Sequence, residues 1–272
     1  MKRWLAVAGV GLGALYVAGG AALASVQRSL YFPAPEVPVE ALDEAARTFG
    51  CESLRLTAAD GVGLYALYRQ AGGDRAVLFL HGNGESVADR PELVAQLHMA
   101  GWDVLIPAYR GYPGSDGTPS EAGLASDADA AWTYLVEERG IAPDRIVVHG
   151  KSLGGAVATS LATRHPPAAL VLESTFTSMT DMARRMAWMY PLSWLVTDPF
   201  PTLDRAPSIR TPVLLLHGIE DTLIPIEHAR RNAAAFPDSA LVEVPGEHGE
   251  TLTMNAPEAR RAYMALLSRV VP

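Results

Sequence analysis

Cys51 is the chain's only cysteine, and a single thiol forms no intramolecular disulfide. No group of Cys and His has zinc-ligand spacing, and no Gly-x-x-x-x-Gly-Lys-Ser loop is present to cradle a phosphate. Cations are scarce. The 22 Lys and Arg face 30 Asp and Glu, a formal net charge of -8, and no basic stripe runs along any segment. Nucleic-acid binding needs clustered cations, so this composition argues against it. Internal repeats and low-complexity tracts are missing too. Neither a metal nor a cofactor is expected. What is present is a 272-residue chain, 49% hydrophobic, suited to one α/β domain around a buried sheet.

The N-terminus stands apart. Met1-Lys2-Arg3 is basic, and Trp4 to Val26 carries no charge before Arg28. An apolar stretch of roughly 20 residues is long enough to span a bilayer as a helix, whereas a secretory signal core is usually about 7–15 residues. Ala22-Leu23-Ala24 nevertheless has the look of a small-residue cleavage site, which would make the protein secreted or periplasmic. A retained single-pass anchor over residues 1–28 is the expectation. The cations Lys2 and Arg3 before it and Glu36, Glu40 and Glu44 after it place the following domain on the non-cytoplasmic side. Gly9-Val10-Gly11-Leu12-Gly13-Ala14 mimics a dinucleotide fingerprint, but it lies in this uniformly apolar stretch with no acid at the required later position. Small residues easing helix packing in a membrane explain it better.

Pro33, Pro35 and Pro38 mark residues 29–52 as an extended linker. From residue 53 to 272 strands and helices alternate. Ser53–Thr57 and Val62–Tyr68 read as strands joined across Asp60-Gly61, and Ala76–Leu80, Asp103–Pro107, Ala169–Glu173, Val213–His217 and Ala240–Val244 as further strands. Helices are expected over Val87–Met99, Glu121–Glu138 (capped by Ser120), Ile226–Ala235 and Ala256–Val270. This pattern predicts the α/β class, a mostly parallel sheet with helices on both faces. One segment, about 176–210, breaks the alternation.

Within the alternation, Gly150-Lys151-Ser152-Leu153-Gly154 sits between the strand Arg145–His149 and a small-residue helix from Gly155. Gly-x-Ser-x-Gly in that setting is a nucleophile elbow, a turn tight enough to strain the serine backbone and expose its Oγ. A serine hydroxyl is a poor nucleophile near neutral pH and needs a base, and the base needs an orienting acid. Of the seven histidines, His81, His149 and His217 stand at strand ends before glycines, where bracing turns is their expected work. His98, His165 and His228 fall in or beside helices. His248 lies in Val244-Pro245-Gly246-Glu247-His248-Gly249-Glu250, directly after the last strand, at the sheet edge where open α/β sheets bind ligands. Asp221, following Val213–His217, is the favoured acid over its neighbour Glu220, because Thr222-Leu223-Ile224-Pro225 resumes immediately after it. An oxyanion needs two N–H donors. Leu153, next after the nucleophile, and Asn83, in the loop after the third strand, are the candidates.

These motifs resemble the α/β-hydrolase superfamily, and within it the membrane-anchored, serine-aminopeptidase-like branch related to mammalian protein depalmitoylases. The residues that carry the likeness are His81-Gly82-Asn83-Gly84, Tyr109-Arg110-Gly111-Tyr112 with Gly114-Ser115 and Gly117-Thr118-Pro119-Ser120-Glu121, Gly150 to Gly155, His217-Gly218 with Asp221, and His248. The order Ser152, Asp221, His248 is that of this superfamily. The resemblance implies an α/β-hydrolase fold with a short helical lid, and a metal-free hydrolase acting on small-molecule acyl esters or thioesters. Glu247 departs from it, since a small residue usually precedes the histidine. Met179, Met182, Met186 and Met189 recur at helical spacing in the lid, and Met182 and Met186 are candidate acyl-chain contacts, although packing alone accounts for such a stripe. A serine aminopeptidase using Glu85, Glu247 or Glu250 to hold an amine, and a non-catalytic binding protein on the same fold, are the competing functions.

Overall fold

Continuous apolar runs form the middle of the sheet because strands covered by helices on both faces have no side to give to water. The computed structural model describes residues 18–20, 27–186 and 196–271. The chain runs α1 (Val39–Phe49), β1 (Glu52–Thr57), β2 (Gly63–Arg69), β3 (Ala76–Leu80), α2 (Pro91–Met99), β4 (Asp103–Pro107), α3 (Glu121–Thr133), β5 (Ile146–Lys151), α4 (Leu153–Arg164) and β6 (Ala169–Glu173). It continues through α5 (Met179–Met186), α6 (Thr202–Arg205), β7 (Val213–Gly218), α7 (Ile226–Ala235), β8 (Ser239–Val244), α8 (Leu252–Asn255) and α9 (Pro257–Val270). The eight strands form one sheet in the order β1-β2-β4-β3-β5-β6-β7-β8. Pairing is antiparallel at β1/β2 and β2/β4 and parallel from β4 to β8. Strands β3, β4, β5, β6 and β7 are buried throughout, while the edge strands β1 and β8 are half exposed. Parallel pairing brings the loops after β3, β5, β7 and β8 to one edge, and this is what assembles the site.

The expected fold class is the observed one. Three elements differ from expectation, each for a local reason. Residues 29–52 are not merely a linker. They contain α1, whose Leu42 and Ala46 are buried and whose end is closed by Gly50 at φ 63°. The neighbouring prolines masked this i, i+4 apolar pair. Helix α2 starts at Pro91 instead of Val87, because the Asp89 carboxylate accepts from the Ser86 backbone N–H (2.7 Å) and hydroxyl (3.0 Å) and holds a turn there. Helix α3 is capped as expected, the Ser120 hydroxyl accepting from Gly123 N–H at 3.1 Å, but its last turn, Tyr134–Glu138, is π-helical.

Among the described residues no helix is long and apolar enough to cross a membrane. The stretch Trp4–Val26 lies outside the described residues save for residues 18–20. The segment after it packs on the domain. Phe32 is buried against Phe200, ring edge to face at 6.0 Å, and Arg28 pairs with Asp198 at 3.1 Å.

Candidate active site

At the end of β5 the backbone turns into α4 through Ser152, held at φ 52° and ψ -115°. Such a conformation is unfavourable for a residue with a side chain and persists only where the surroundings impose it. Glycine on either side is required by contact. A Cβ on Gly150 would lie 2.2 Å from the Gly154 carbonyl oxygen, and one on Gly154 would lie 1.9 Å from that of Leu80. The elbow is therefore wedged against the end of β3, whose Leu80 is in register with Gly150.

The three loops meet at hydrogen-bond distance. Ser152 Oγ lies 3.0 Å from His248 Nε2, and His248 Nδ1 lies 2.7 Å from Asp221 Oδ2. With a carboxylate accepting at Nδ1, the ring proton belongs there, which leaves the Nε2 lone pair for the serine hydroxyl. The Asp221 side chain is fully buried, and its Oδ1 accepts the N–H groups of Leu223 (3.0 Å) and Ile224 (2.7 Å). Burial alone would push its carboxyl up, but the His248 hydrogen bond and the Ile224 N–H more than offset it and hold the group below the usual carboxylate range. Glu220 does something else. Its Oε2 accepts the Gly246 N–H at 2.8 Å and fastens the β7 loop to the β8 loop. Glu247, before the histidine, is exposed.

Asn83 follows β3 beside the elbow, and its backbone N–H has no acceptor among the described residues. Leu153 is the first residue of α4, where backbone N–H groups have no partner within the helix. The Asn83 side chain donates to Tyr31 O (3.2 Å), and Gly84 N–H donates to Pro33 O (2.7 Å), so the N-terminal segment braces this loop. The other strand-end histidines do local work. His81 Nδ1 lies 2.8 Å from Gly82 O, His217 Nε2 donates to Ile224 O at 2.7 Å, and His149 Nε2 meets Glu173 Oε2 at 3.2 Å. Met179 and Met182 are buried in the core cluster beneath α5, which supports the packing account of the stripe. The Met186 side chain and Met189 lie outside what is described. Helix α5 leans on the acid's loop through Arg185, which donates to Thr222 O at 3.4 Å.

Sequence reasoning missed Lys151 and Glu85 as a pair, and the bracing by Tyr31 and Pro33. A charged residue at the end of a buried strand was the available signal for the first, since lysine is almost never fully buried unpaired.

A family model described as "Serine aminopeptidase, S33" matches residues 73–204. An uncharacterised protein of Mycobacterium tuberculosis is 39% identical over 227 residues, covering 81% of this chain and 79% of that protein. The α/β hydrolase domain-containing protein WAV2 of Arabidopsis thaliana is 32% identical over 291 residues, covering 96% of this chain and 94% of that protein. Among solved structures, an esterase of Pyrococcus furiosus superposes with a TM-score of 0.70 at 24% identity, covering 82% of this chain and 91% of the esterase. The chain belongs to the α/β-hydrolase family.

Proposed function

We propose that the protein is a serine hydrolase that cleaves carboxylic esters or thioesters through an acyl-serine intermediate. The observation that carries this is the unbroken chain of contacts Asp221–His248–Ser152 at a strained elbow. His248 Nε2 takes the Ser152 proton as Oγ attacks the substrate carbonyl carbon. The carbonyl oxygen becomes an oxyanion held by the N–H groups of Asn83 and Leu153. Collapse of this intermediate expels the alcohol or thiol, which leaves with the proton from His248. Water then gives a proton to His248 and attacks the acyl-serine, and the second collapse returns that proton to Ser152 and frees the acid.

The segment that interrupts the alternation, about 176–210, is short, so the site is expected to take small or medium acyl groups. The apolar run Trp4–Val26, with Lys2 and Arg3 before it and Glu36, Glu40 and Glu44 after it, is the proposed anchor and orients the domain to the non-cytoplasmic side.

The family model's description favours an aminopeptidase as a second reading. Its amine recess would need a free acid; Glu85 is taken by Lys151 (3.0 Å) and Arg90, and Glu250 contacts Glu247 N–H and Asn255, which leaves the exposed Glu247 as its candidate. A non-catalytic binding protein has no use for the strain at Ser152. A panel of p-nitrophenyl esters, acyl thioesters and aminoacyl p-nitroanilides of graded length separates the three. Turnover of short esters or thioesters is expected. Turnover of the anilides alone would establish the aminopeptidase, and none at all the binding protein.

A further inference from the structure

Lys151 occupies the variable position immediately before the nucleophile, and its side chain is 2% exposed. A buried ammonium is costly unless its donors are met, and an apolar side chain would suit a strand covered on both faces better. Its partners are not core groups. Nζ donates to Glu85 Oε1 at 3.0 Å, in the loop that carries Asn83, and to Gly249 O at 3.4 Å, one residue after His248. Glu85 continues the chain, its Oε2 accepting the Gly82 N–H at 3.0 Å and its Oε1 pairing with Arg90. One side chain thus ties three segments together: the elbow it belongs to, the loop of the base and the loop of an oxyanion donor.

We propose that Lys151 is a positioning residue of the hydrolase, joining the His248 loop to the Asn83 loop with Glu85 as the link. It rests on the reading of Ser152, His248 and Asp221 as the reacting groups. Lys151 and Glu85 reach no reacting atom themselves. They fix the relative placement of base, nucleophile and oxyanion donor through these contacts. Among the described residues, the other titratable groups near His248 are Asp221 and His217 from the β7 side and Glu247 and Glu250 on its own loop.

The test is steady-state hydrolysis of a short p-nitrophenyl ester by the full-length protein across pH, with Lys151→Met and Glu85→Gln and a melting curve for each. Misplacing a reacting group by about 1 Å costs on the order of 100-fold, so kcat should fall about 10- to 100-fold in both variants while KM changes little. The acid limb of the pH–rate profile should move in opposite directions. Removing the cation makes the His248 imidazolium easier to form and shifts the limb to higher pH. Removing the anion leaves Lys151 and Arg90 uncompensated and shifts it to lower pH. A merely structural strut would lower the melting temperature and leave both limbs where they were, which overturns the proposal, as does a kcat near that of the parent in both variants. If Lys151→Met fails to fold, Glu85→Gln decides alone, since it keeps the side-chain shape and must lose kcat with its limb moved down. Absence of turnover in the unsubstituted protein counts against the hydrolase reading itself and removes the clamp with it.

Discussion

Asp221 and Glu220 are adjacent carboxylates with separate partners, and residue chemistry alone does not tell them apart. Position does. Asp221 is buried against His248, whereas Glu220 is exposed and holds Gly246. Replacing Asp221 by Asn should lower kcat/KM by about 1,000- to 10,000-fold, because an amide stabilises the wrong imidazole tautomer. Glu220→Gln should cost far less, as its tie to Gly246 is retained by the amide oxygen. Initial-rate kinetics on one ester checks both. The proposed nucleophile and base, Ser152 and His248, stand out in the sequence because each follows a strand and lies beside glycine. Lys151 and Glu85 do not, because they are far apart in sequence and only the β3–β5 pairing brings their loops together.

At the scale of elements, the strands were legible almost to the residue, since β3, β4, β6 and β7 are nearly unbroken apolar runs and β1 alternates polar with apolar residues. Helix α1 was obscured by the preceding prolines, and the start of α2 by a side-chain turn that no periodicity reveals. The junction of β5 and α4 is the least tolerant element. Gly154→Ala would put a methyl group into the Leu80 and His81 carbonyls, at 1.9 Å and 2.6 Å before any shift. Backbone cannot yield as a side chain does, so about 3 kcal/mol or more of stability should be lost. A melting curve showing an unchanged midpoint would contradict the close packing described for the elbow.

Acid sensitivity belongs to the whole molecule. Glu173 is fully buried, and burial would raise its carboxyl, but His149, the Lys151 charge and the Leu252 N–H together hold it low. Glu85 is likewise held low by Arg90 and Lys151 against its own burial. A carboxyl that is lower folded than unfolded adds stability above its unfolded value and loses it as pH falls through the folded one. Unfolding free energy should therefore hold through neutral pH and fall below about pH 4, the ordinary carboxylate range. Glu173→Gln should flatten that decline, and urea titrations at stepped pH read it. The proposed anchor is tested on the same scale. A reporter fused after Pro272 should work only outside the cytoplasm, and activity confined to the cytoplasm would reverse the proposed orientation.

The account stands on Ser152 being an activated nucleophile, and covalent labelling by a fluorophosphonate tests that most directly. The unsubstituted protein should take up one label at Ser152, located by peptide mass spectrometry, and Ser152→Ala should remain folded and unlabelled. Labelling of the alanine variant equal to that of the parent would contradict the account.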